Sequence, residues 1–208
     1  EELGQTIDRF LAAARPAEIR NVRGLVCPHA GYEFSGPTAA WAYKLVAGRP
    51  FRQAIVLAPS HYAAFRGAAL GDYDGLATPL GKLAVAALSG KLGACAPFAV
   101  NPAARVHRPQ WASRAISPPP DPETPLTWEH ALETQLPFLG RVLPAAEVVP
   151  AVLGEVDPAE VAKALTPHLD AQTLLVASSD LSHYYPEPQA RKLDNACVSA
   201  VCTLNLQA

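Results

Sequence analysis

Short, wholly apolar runs recur along this chain, each followed by a polar loop and then by a helical periodicity. Gly24–Cys27, Ala54–Ala58, Val148–Leu153 and Thr173–Ala177 have strand length and no polar alternation, the signature of strands buried on both faces. Strands of that kind need a helix on each side. The pattern therefore predicts an α/β domain with a mostly parallel sheet, helices on both faces and right-handed crossovers.

The intervening helices can be placed from their punctuation. Thr6–Ala14 carries Ile7, Phe10 and Leu11 on one stripe. Ser35-Gly36-Pro37 reads as a helix start, Thr38–Val46 as its continuation and Gly48 as its close. Asp157-Pro158-Ala159-Glu160 opens another with a capping-box pattern. Further helices are expected over Leu80–Leu92, Glu129–Leu143 and about Gln189–Leu204. Pro137 must kink or restart the second of these, because an interior proline costs about 3 kcal/mol. Residues 101–127, with Trp111 and Pro118-Pro119-Pro120, read as an irregular and partly mobile excursion.

Composition narrows the function classes. With 208 residues, 50% of them hydrophobic and 17% charged, the chain can bury the core of a single domain over 1–208. The formal net charge is −2 and the basic residues are scattered, which argues against a nucleic-acid surface or a polybasic membrane patch. No apolar run approaches the ~20 residues of a membrane helix, and no secretory signal is visible, so a cytoplasmic protein is expected. Cys27, Cys95, Cys197 and Cys202 form no C-x-x-C pair and read as free thiols of a reducing compartment. Cys197 falls on a stripe with Leu193, Ala200, Val201 and Leu204 and is expected to face the core. Cys27 precedes Pro28-His29 and either lines a pocket floor or simply completes its strand.

The chemistry-bearing pattern is positional. Three apolar strands each run into a loop with a histidine: His29, His61 and His183, the last with Asp180 three residues earlier. In open α/β sheets ligands bind outside the carboxyl ends of the strands, and these side chains would converge there if the strands are neighbours. Neutral imidazole is the commonest metal ligand near physiological pH. Two His with a carboxylate or thiolate and open positions suit non-haem iron or catalytic zinc. A metal-free alternative has an Asp orienting a His as general base. A lone His at a strand end is more often an ordinary turn residue; repetition of the strand–Pro–His layout sets His29 and His61 apart. Asp180 and His183 also suit a turn before Tyr184-Tyr185-Pro186, and His130 a helix cap beside Glu129. His107 and His168 are assigned to the surface.

Taken together, Pro28-His29-Ala30-Gly31-Tyr32 with Ser35-Gly36, Pro59-Ser60-His61, Glu129-His130 with Gln135-Leu136-Pro137, and Ser178-Ser179-Asp180-Leu181-Ser182-His183 resemble the signatures of the Memo family. They stand in the family's order and cover nearly the whole chain apart from the excursion. The nearest group is the bacterial one called AmmeMemoRadiSam system protein B. The resemblance implies a fold similar to the class III extradiol dioxygenases, with His29 and His61 as metal ligands for iron(II), or for copper or zinc. It implies His130, Asp180 and His183 as further pocket residues serving catalysis on a small-molecule substrate. It also implies a pathway shared with radical SAM and AMMECR-type proteins. The family's third ligand, a Cys followed by Gly near the C-terminus, has no counterpart here, and the role is not carried onto Cys197. The sequence reads as lacking the family's first residues and its C-terminal part. Two other functions fit the same resemblance: a non-catalytic module for an anionic group or phosphotyrosine-type peptide, and a metal-dependent hydrolase.

Overall fold

A computed structural model describes residues 1–115 and 118–205. Its centre is a six-stranded sheet. Strands β1 (Gly24–Cys27), β2 (Gln53–Pro59), β9 (Glu147–Leu153) and β10 (Thr173–Ser178) run parallel, in the order β1-β10-β2-β9. Strands β4 (Ala68–Leu70) and β7 (Phe98–Val100) extend the sheet beyond β9, with β4 antiparallel to it. Two small antiparallel pairs lie outside the sheet: β3 (Ala63–Ala64) with β8 (Arg105–Val106), and β5 (Gly75–Thr78) with β6 (Gly81–Ala84).

The apolar runs become strands because both faces of the sheet are covered. Along β2, Ala54, Val56 and Ala58 join one core cluster. Ile55 belongs to the other, with Leu57 packed against it. Helices α1 (Glu2–Ala13), α2 (Tyr32–Lys44) and α5 (Gln135–Val142) pack on the first face through Ile7, Tyr43 and Phe138. Helices α3 (Ala87–Gly93) and α6 (Pro158–Leu165) cover the second through Leu88, Leu92, Val161 and Leu165. Pro150 is tolerated in the interior strand β9 because β4 pairs only with residues 151–153, so the side lacking a donor has no partner to disappoint. Where α1 crosses α2, a side chain on Gly36 would meet the Phe10 ring at 2.5 Å, so glycine is what lets the two helices close.

The expected strands hold to within a residue at each end. Asp157 caps α6, accepting from the Ala159 N–H at 2.8 Å, with Pro158 in the first turn. The 129–143 segment breaks into α4 (His130–Glu133) and α5, and Pro137 lies in the first turn of α5, where its missing N–H costs nothing.

Three expectations are corrected. The second helix starts at Tyr32 and not at Ser35-Gly36-Pro37, which leaves Pro37 inside it. Residues 80–92 are not one helix: Gly81–Ala84 is the second strand of a hairpin, and the helix begins at Ala87. Thr78 Oγ1 accepts from the Leu80 N–H and donates to the Gly81 carbonyl, and Gly81 adopts φ +128°, so the turn overrides the helical spacing of Leu80, Leu83, Leu88 and Leu92. Cys197 does not face the core. Helix α7 (Glu187–Thr203) has no buried residue and Cys197 is exposed, because an amphipathic spacing defines a face and not its partner. No helix among the described residues is long and apolar enough to cross a membrane.

Candidate metal centre

Strand order decides the site. β10 lies between β1 and β2, and their registers bring Cys27 level with Ser178, and Ala177 level with Leu57. The loops leaving all three strands therefore open at one edge. His29 follows β1, Asp180 follows β10 and His61 follows β2. His130, the first residue of α4, reaches the same spot from the helical layer. The His29 and His61 ring centroids lie 5.2 Å apart, His29 and His130 5.6 Å, and His61 and His130 4.6 Å. One nitrogen from each ring falls in a group whose atoms are all within 4.8 Å of one another.

Two of the three rings are held from behind by hydrogen bonds. His61 Nδ1 donates to Glu129 Oε1 at 2.9 Å, and the His61 backbone N–H donates to Glu129 Oε2 at 2.6 Å. Glu129 is buried, caps α4 by accepting from the Ala131 N–H at 2.9 Å, and so leaves His61 Nε2 as the unprotonated nitrogen. Carboxylate-to-imidazole support of this type is what metal-binding histidines generally have. The Nδ1 of His29, a residue 3% exposed, meets Ser178 Oγ at 2.9 Å. His130 Nδ1 is buried without a hydrogen-bond partner, 3.5 Å from Glu129 Oε1.

Burial is the main influence on two of the rings. It pushes the pKa of His29 down, against the pull of Asp180, and it pushes His130 down, against Glu129. Both are therefore neutral at pH 7. Three imidazoles grouped at one point, two of them kept neutral by burial and with an orphaned nitrogen among them, fit a divalent transition metal by their donor chemistry.

Asp180 stands at the rim. Its Oδ1 accepts from the backbone N–H groups of His29 and Ala30, at 2.5 and 3.1 Å, which fixes the carboxylate. Its Oδ2 lies 3.7 Å from His29 Nε2 and 3.6 Å from His183 Nε2. His183 is 46% exposed, and its Nδ1 donates to the Leu181 carbonyl at 2.8 Å, which turns Nε2 towards Asp180. His183 is thus coupled to the site through Asp180 and lies outside the three-imidazole group. His107 is exposed, its backbone N–H donating to the Tyr62 carbonyl at 2.7 Å, and His168 is half-buried; neither belongs to the three-imidazole group.

Sequence reasoning gave no role to the supporting residues Glu129, Ser178 and Gln135, although all three stand in the motifs quoted above. The cap expected of His130 is made by Glu129, which accepts from the Ala131 N–H. The polar residues that close β10 and open α5 are the signal, since buried Ser and Gln have to be satisfied. The excursion packs beside the centre. β3, directly after His61, pairs with β8, and Tyr62 meets the edge of Trp111 at 6.2 Å and stands 5.7 Å from His130. Arg108 and Trp128 both donate to Glu123 Oε1, tying the two ends of the excursion together.

The sequence profile of the Memo-like protein family matches residues 1–109 and 111–208. A MEMO1 family protein of Aquifex aeolicus is 32% identical over 216 residues, covering 100% of this chain and 71% of the relative. The MEMO1 family protein MK0963 of Methanopyrus kandleri is 31% identical, covering 88% of this chain and 60% of its own length. The protein memo-1 homolog of Caenorhabditis elegans is 30% identical, with 88% of this chain and 48% of its own length covered. The chain thus spans between about half and 71% of the length of these relatives.

Proposed function

The chain belongs to the Memo-like protein family, and from that premise we propose that it holds a divalent transition metal on His29, His61 and His130 and carries out dioxygenase-like oxidation of a small molecule. The observation that carries the reading is the convergence of three imidazoles at the carboxyl edge of the sheet, within 4.8 Å of one another and each with a nitrogen to spare. Iron(II) is the first choice, by the resemblance to the class III extradiol dioxygenases, and copper or zinc would be held by the same donors. Bound there, such an ion supplies Lewis acidity and, if iron or copper, electron exchange with dioxygen.

The protein's own contribution is geometric and protonic. Glu129 keeps His61 in one tautomer and one orientation. Asp180, pinned at Oδ1, presents Oδ2 to hold a substrate proton beside His29, and His183 Nε2 passes that proton to solvent from its exposed position. A second reading is favoured by the donor set. Three imidazoles, with Glu129 behind His61 and Asp180 at the rim, match a catalytic zinc site, which would make the activity hydrolytic.

The test is an anaerobic titration of the chelator-stripped protein with iron(II) and, separately, zinc. The parent is expected to bind one ion per chain, and His29→Ala with His61→Ala to bind at least ~100-fold more weakly, having lost two ligands. Equal affinity in the double variant refutes the site. Dioxygen uptake by the iron-loaded protein, set against ester turnover by the zinc-loaded one, separates the two readings.

A further inference from the structure

We propose that Ser178, itself held by Gln135, is the positioning residue that decides which nitrogen of His29 is free to bind a metal. This rests on the metal reading above, but it follows from donor and acceptor counting alone.

Two carbonyl oxygens, neither able to donate, fix the whole chain of hydrogen bonds. The Pro28 carbonyl lies 2.9 Å from the side-chain amide of Gln135, so the nitrogen of that amide must face it. The other amide hydrogen then points at Ser178 Oγ, 3.0 Å away. The amide oxygen is left to accept from the Tyr43 hydroxyl at 2.7 Å. The Ala131 carbonyl lies 2.7 Å from Ser178 Oγ and claims the single hydroxyl proton. Ser178 Oγ has nothing left to donate, and the third group touching it is His29 Nδ1 at 2.9 Å. That nitrogen must be the donor. His29 is therefore the Nδ1–H tautomer, and its lone pair is on Nε2.

Tyr43, Gln135, Ser178 and His29 are all buried, so no water competes for these positions and each unmet bond would be costly. The same network joins the two sides of the site. The peptide carbonyl of Ala131 takes the Ser178 proton, and the Ala131 N–H donates to Glu129, the carboxylate behind His61. One residue, next to His130, thus links the supports of both other imidazoles.

Removal of the hydroxyl has a specific consequence. In Ser178→Ala the Nδ1–H of His29 is buried with no acceptor. Asp180 Oδ2, 3.7 Å from Nε2, is then the nearest acceptor, so the proton moves to Nε2 and occupies the metal-binding lone pair.

The experiment is nitrogen-15 NMR of histidine-labelled, metal-free protein at pH 8, with His29→Gln used to assign the signal. The parent is expected to show the Nδ1–H pattern and Ser178→Ala the Nε2–H pattern, while Ser178→Thr, which keeps the hydroxyl, restores the first. Zinc affinity is expected to fall ~10–100-fold in Ser178→Ala and to recover in Ser178→Thr. An Nε2–H pattern in the parent, or an unchanged tautomer in Ser178→Ala, overturns the proposal. If Ser178→Thr or Ser178→Ala does not fold, the tautomer of the parent still decides. If the parent shows Nδ1–H yet takes up no metal, the metal reading fails while the assignment of Ser178 stands.

Discussion

Replacing Glu129 by Gln keeps the shape of the side chain and removes one acceptor, so its cost can be worked out atom by atom. Oε1 accepts from His61 Nδ1 and the Ala131 N–H, and Oε2 accepts from the His61 N–H. An amide has one oxygen for these two places. With its oxygen at the Oε1 position, the NH2 group faces the His61 N–H across 2.6 Å, donor against donor. With the oxygen at the other position, the NH2 group faces the Ala131 N–H and drives His61 to the tautomer whose Nε2 is protonated. Either way a buried donor is unmet, a loss of about 1–3 kcal/mol. For a chain of this size that is ~2–12 °C of Tm. The imidazole also loses its carboxylate support, expected to weaken metal binding ~10–100-fold. Thermal unfolding followed by circular dichroism reads the first effect and zinc titration calorimetry the second. A Glu129→Gln protein that keeps the parent's Tm to within a degree and the parent's affinity would refute the account of Glu129 as the support of His61.

Three further outcomes are expected. Because burial lowers the pKa of His29 and His130 in the folded state, unfolded chains bind more protons just below the ordinary histidine value of about 6.5. The stability these rings contribute is complete above that pH and lost as pH falls through their lowered values; metal uptake should follow the same course. Urea unfolding and zinc binding between pH 8 and 5 measure both, and a rise in either on acidification contradicts the sign. Ellman's reagent is expected to modify Cys95, Cys197 and Cys202 in the folded protein and Cys27 only after unfolding, since burial pushes the Cys27 thiol up to about 12. Gly36→Ala should lower Tm, because overpacking against Phe10 costs about 1–3 kcal/mol and exceeds the helix gain of about 1 kcal/mol. In a Phe10→Ala background the same change should raise it.

Local chemistry was enough to place the elements and to nominate the candidates. Four apolar runs with no polar alternation can only be strands covered on both sides, and that follows from local chemistry. So does the restart of the helix near Pro137, and so does the placing of His29, His61 and Asp180 just beyond strand ends. Spacing could not tell a hairpin from a helix at Gly81, because the turn depends on Thr78 reaching across it. Nor could it find a partner for the stripe on α7, since a helix face is a property of one segment and burial a property of two.

The tertiary structure decided what those residues are to one another. Strand order set β10 between β1 and β2 and so put Asp180 between two histidine loops far apart in the chain. It also brought His130 in from a different layer, turning a pair of imidazoles into a group of three. Tautomers were decided last and least locally. Ser178 and Glu129 act on His29 and His61 from 149 and 68 residues away, and hydrogen-bond direction depends on every neighbour of the shared atom at once. A linear sequence carries the donors and acceptors, but only the folded chain assigns each proton to one of them.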